Sequence, residues 1–132
     1  MDERGRPSIP RFDLDKGLEE ISTGGGVTFA PDGSVARLKT GYAVGGRVPS
    51  IAVETSVTGP GLRTAVALAL VSVGRQSWTE FGHTGVWKDD DGKIYVDAVD
   101  IITDKDEALA IATKRGEKAI FGFAEQKSFL VG

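Results

Sequence analysis

The chain has no cysteine and one histidine, His83. The first absence removes disulfides, thiol nucleophiles and cysteine-ligated zinc or iron–sulfur sites. The second forces any Ser-His-Asp arrangement through His83 with a serine such as Ser72 or Ser77, and no nucleophile elbow accompanies them. Long apolar runs are missing as well. The longest, Ala65 to Val71, falls far short of the ~20 residues that span a bilayer. The opening MDERGRPSIPRFDLD is charged and lacks the apolar core of a signal peptide, so the expectation is a soluble, cytoplasmic protein. Nor does charge of one sign dominate: 16 basic and 19 acidic residues are interspersed, for a net charge of −3. Without a basic stripe, nucleic acid is not an expected partner. Gly24-Gly25-Gly26 precedes a hairpin instead of joining a strand to a helix, so it reads as a flexible connection and not as a phosphate-cradling loop.

What is present is glycine, 18 in 132 residues, about twice the average share. That favours short strands joined by tight turns. A chain of this length buries about two-thirds of its unfolded surface, so one domain over 12–132 needs no metal or disulfide to fold. Residues 1–11 hold three arginines, two prolines and little to bury, and read as a disordered arm.

The clearest pattern runs from Gly85 to Phe123. Gly85-Val86-Trp87, the turn Asp89-Asp90-Asp91-Gly92 and the β-branched run Lys93 to Ile102 predict a hairpin. Ile94, Val96, Ala98 and Ile102 share one side of the second strand, and Tyr95, Val99 and Ile101 share the other, which places that strand centrally. Thr103 or Asp104 then caps a helix that carries Ala108, Leu109, Ile111 and Ala112 at helical spacing and ends at Gly116. Ala119 to Phe123 predicts another strand, with Ser128 to Val131 pairing across the intervening turn. Together these form a β-β-α-β(-β) unit.

The strings GKIYVDAVDI and DKDEALAIATKRGEKAIF within this run, which covers under a third of the chain, resemble the C-terminal part of small proteins of actinobacteria, their phages and other mobile elements. GYAVGG at Gly41 to Gly46 fits the same pattern. That family has no assigned activity, so the resemblance implies a genomic context and a cytoplasmic setting and assigns no site residue.

Earlier in the chain, Phe12 to Ile21 suits either a hairpin turning at Asp15-Lys16-Gly17 or a one-turn helix from Asp15. Val27 to Ala30 and Val35 to Leu38 predict a hairpin around Pro31-Asp32-Gly33. Tyr42 to Val44 and Ile51 to Val57 are further strands. Leu62 to Val73 alternates small and large residues as a strand does, but its length and alanines favour a helix. Apolar nearly all round, that helix must be covered inside the monomer or by a second copy of the chain. Gly74 to Gly82 reads as a loop in which Trp78 and Phe81, with Trp87 nearby, are candidate partner-binding aromatics, or core under a loop.

Asp97 and Asp100 are the conspicuous polar residues, because carboxylates on a strand apolar on both faces are costly to bury unless paired or used. The structural explanation is a water-exposed edge, or pairing with Arg63 or Lys93. Asp89-Asp90-Asp91-Gly92 lacks the first and last ligands of a calcium loop. No metal site or cofactor is expected. The fold reads as α+β: a mainly antiparallel sheet of hairpins with about two helices packed on it. Function reads first as a non-enzymatic accessory or protein-interaction factor, phage or mobile-element encoded. The alternatives are a small metal-dependent hydrolase or nuclease-like enzyme using Asp97, Asp100, Glu80 and His83, and a small-ligand-binding module with a pocket near Trp78, Phe81 and Trp87.

Overall fold

A computed structural model of the chain describes residues 9–54, 59–77, 82–89 and 91–131, with the side chains of 59, 60, 76 and 77 excepted. These residues form α1 (Leu14–Gly24), β1 (Gly26–Phe29), β2 (Tyr42–Val44), β3 (Ile51–Val53), α2 (Gly59–Ser77), β4 (His83–Lys88), β5 (Ile94–Ile102), α3 (Lys105–Arg115), β6 (Ala119–Gly122) and β7 (Lys127–Leu130). The class is α+β as the patterning predicts, with three helices where about two were expected.

The strands pair antiparallel in the order β1-β4-β5-β2-β6-β7, and β3 also pairs with β5. β4 covers one edge of β5, from His83 opposite Val99 to Lys88 opposite Ile94. The other edge is shared. β3 takes residues 94–96 and β2 takes 100–102, so the stretch between them faces the turn of residues 45–50. That interruption, opposite Asp97, creates the site described below.

Both faces of β5 are buried at its middle, from Val96 to Val99. Val96 and Ala98 are fully buried and Ile94 nearly so, facing Val86 of β4, Val53 of β3 and the helix residues Val66, Leu70 and Val73 of α2. Each of the valine, leucine and isoleucine side chains contributes roughly 1.5–3 kcal/mol of transfer free energy. Farther along, Val44 and Ile120 pack against Ala108 and Ala112 of α3, where alanine lets the helix sit close to the sheet. On the opposite face Ala43, Val99 and Phe123 make a smaller cluster.

The N-terminal reading needs correction. α1 is neither a hairpin nor a single turn. Asp13 caps it, accepting from the Lys16 N–H at 3.4 Å, and Leu14, Leu18 and Ile21 pack on the core at helical spacing. Gly17, the source of the turn reading, is buried because the Phe29 ring lies where its Cβ would be, 2.4 Å from Cζ. Gly25, in the left-handed conformation, closes the helix, so the triple glycine joins helix to strand. In the following hairpin, residues 35–38 make only one bridge, Phe29 to Val35. α2 is longer than the 62–73 expected: it starts at Gly59 and takes in residues 74–77, which the sequence assigned to a loop. Trp78, Glu80 and Phe81 lie outside the described residues, as do residues 1–8 of the arm and residues 55–57 of the strand predicted over 51–57.

Asp104 caps α3 by accepting from the Glu107 N–H at 2.9 Å, and Gly116 ends it with φ +72, as the sequence predicts.

Candidate functional site

Asp97 stands between two fully buried residues of β5 and is itself only 3 % exposed. A carboxylate so placed must be hydrogen-bonded at each oxygen or lose several kcal/mol. Both are met. Oδ1 accepts from the Ser50 hydroxyl, and Oδ2 accepts from the Trp87 indole Nε1 at 2.8 Å. Trp87 lies on β4 and Ser50 immediately precedes β3, so one carboxylate ties three sheet segments together.

Glu117 reaches the same turn. Its N–H donates to the Ala112 carbonyl at 2.9 Å, within the closure of α3. A Cβ on Gly45 would lie 2.7 Å from Glu117 Oε1 and 3.1 Å from Asp97 Oδ2. Both carboxylates therefore press on one backbone position, and only glycine leaves room. The Glu117 carboxylate makes no hydrogen bond or ion pair with any described residue. Burial raises its carboxyl above the ordinary range, the Asp97 charge adds to this, and Arg115 opposes it.

Asp100 lies three residues from Asp97 on β5, on the opposite face by strand alternation. Arg47 donates to Oδ1 at 2.9 Å and Arg115 to Oδ2 at 2.7 Å. Arg115 also donates to the Gly45 carbonyl at 3.1 Å. These partners correct the sequence reading: Arg63 pairs with Asp15, and Lys93 approaches Glu54 at 3.8 Å.

Among the described hydrolase candidates, Asp97, Asp100 and His83 share no hydrogen bond or ion pair. Asp97 and Asp100 face opposite ways, and Glu80 is outside the described residues. His83 is the first residue of β4, opposite Val99. Burial lowers its pKa, and no hydrogen bond or ion pair joins it to either aspartate. Ser72 lies on α2, beside the apolar groove described next. Among the described residues no group of three or more His, Asp or Glu side chains is placed to hold a metal ion. Trp87 is not an open anchor: its ring stacks on Tyr95 at 5.0 Å and 24° while its nitrogen is held by Asp97. In the adjacent turn Tyr95 donates to Asp91 Oδ2 at 2.7 Å and the Lys93 N–H to Oδ1 at 2.8 Å. The tyrosine is thereby pushed up to about 12, and Asp91 is lowered.

A second feature lies between β3 and α2. An apolar groove of about 410 Å³ is lined by Ile51, Ala52, Val53, Ala65, Leu68 and Ala69 among others. Leu68 is 67 % exposed on its rim. Among the described residues β3 pairs only with β5, leaving its outer edge without a neighbouring strand. The chain matches no protein-family model, no curated protein and no solved structure.

Sequence reasoning singled out Asp97 and Asp100 but missed Ser50, Arg47, Arg115 and Glu117. The available signal was Gly45-Gly46, since adjacent glycines after a predicted strand mark backbone that something approaches closely.

Proposed function

We propose that the protein is a non-enzymatic interaction factor that takes an extended, apolar segment of a partner protein along the outer edge of β3. Strand addition gives such a segment main-chain hydrogen bonds and a place for its alternate side chains. The observation that carries this reading is Leu68, largely exposed beside an apolar groove between α2 and β3, a strand whose outer edge has no partner strand among the described residues. A single exposed leucine is ordinary on a protein surface, whereas one beside a strand edge with no described partner strand offers both parts of a strand-addition site. The engagement of Asp97 by Ser50 and Trp87, and of Asp100 by two arginines, also favours a structural role for these carboxylates. The resemblance of residues 85–123 adds a cytoplasmic, phage or mobile-element setting to this proposal.

Leu68→Glu is the direct test. The exposed position leaves the unfolding midpoint unchanged, while the charge in the groove lowers affinity for a captured partner at least tenfold. Undiminished binding by the folded variant counts against the face. Light scattering across micromolar concentrations identifies a second copy as the occupant if mass doubles in the wild type and Leu68→Glu is monomeric.

A further inference from the structure

We infer that Glu117 and Asp97 form a proton-operated latch on the turn of residues 45–50, closed when Glu117 is neutral and loosened when it is ionised. The turn is held by three attachments: Ser50 to Asp97, Arg47 to Asp100, and Arg115 to the Gly45 carbonyl. Glu117 Oε1 and Asp97 Oδ2 also crowd Gly45, and their separation cannot exceed the 2.7 Å and 3.1 Å laid end to end. Asp97 is already an acceptor at both oxygens. Glu117 has no donor among the described residues, so its ionised form stands beside a second carboxylate.

The charged groups around Glu117 are Asp97 from β5 and Arg115 from α3. Arg115 is engaged by Asp100, which also holds Arg47 of the turn. The neighbouring Lys118 turns to Asp89, 3.5 Å away, at the end of β4. Among the described residues no cation is therefore dedicated to Glu117. A proton from solvent removes the repulsion and supplies an O–H that can donate toward Asp97. Because Ser50 immediately precedes β3, loosening the turn loosens the strand.

The folded-state pKa of Glu117 is raised. The contribution is therefore complete below the usual glutamate value of about 4.3 and is lost as pH rises through the value Glu117 has in the fold. The latch is a property of the free domain; only its consequence for partner binding rests on the β3 face proposed above.

Proton NMR and amide exchange on the free protein test it. The Trp87 indole N–H, bonded to Asp97, shifts with a midpoint above that of an ordinary glutamate. Protection of the amides of residues 51–53, corrected for intrinsic exchange, falls several-fold across the same interval. Glu117→Gln removes both transitions and keeps the acid-level protection at neutral pH. Glu117→Asp, one methylene shorter, draws the charge away from Asp97 and moves the midpoint down. A transition that persists in Glu117→Gln, or wild-type β3 protection that does not vary with pH, overturns the latch. If the latch holds while partner affinity is insensitive to both pH and Leu68→Glu, the binding face is wrong and the latch stands.

Discussion

Trp87 of β4 donates its indole N–H to Oδ2 of Asp97, 2.8 Å away across the strand pair, and Asp97 Oδ1 takes the Ser50 hydroxyl. Asp97→Ala strands two donors in a site that is 3 % exposed and costs on the order of 3 kcal/mol. Asp97→Asn can still accept from the indole while donating to Ser50 Oγ, and loses on the order of 1 kcal/mol. Urea unfolding measures both. Equal midpoints for the two variants would show that Asp97 contributes by its charge alone.

Gly45→Ala places a methyl 2.7 Å from Glu117 Oε1 and 3.1 Å from Asp97 Oδ2. The expected loss is roughly 1–3 kcal/mol, the range for overpacking. The Glu117 carboxylate ends a flexible side chain, whereas Asp97 is pinned. In a Glu117→Ala background the cost of Gly45→Ala shrinks, and a double-mutant cycle returns a coupling of at least 0.5 kcal/mol. Additive effects would mean the two groups do not share the space.

At Gly116 the φ of +72 is the whole cause, because a Cβ there meets nothing within 4 Å. Gly116→Ala therefore costs about 1 kcal/mol through backbone conformation alone. Gly116→Asn, which tolerates the left-handed region better, recovers part of it. Thermal unfolding of the pair checks the order; an alanine variant as stable as wild type would remove the cap from the account.

Tyr95 ionises near 12, because its hydroxyl donates to Asp91. Tyr42, which donates to Glu125 at 3.0 Å, is also raised. Phenolate absorbance followed against pH should therefore develop above the ordinary tyrosine value of about 10. The sign follows from linkage: a raised folded pKa gives stability that is intact below the unfolded value and is lost as pH rises from there through about 12. In Asp91→Asn the carboxylate charge is gone and the Tyr95 transition moves down. A wild-type titration centred on the ordinary value would exclude the Tyr95–Asp91 bond.

Local chemistry alone placed β5 at the centre, α3 between its Asp104 cap and Gly116, β2 at residues 42–44 and α2 over the 62–73 core. Each of these depends on neighbours within a few residues: alternation, a capping carboxylate, a left-handed glycine, a run of good helix formers. α1 was mistaken because Gly17 has two meanings. As sequence it signals a turn, and only the Phe29 ring, brought over by β1, makes it a position where a helix needs an absent side chain. Asp97 and Asp100 could be flagged from their apolar surroundings, but their partners could not be named. Ser50, Trp87, Arg47 and Arg115 reach them over separations of 10 to 53 residues. Those meetings exist because β2 and β3 share one edge of β5 and leave a turn opposite Asp97. Strand register decides that arrangement, and register is a property of the assembled sheet.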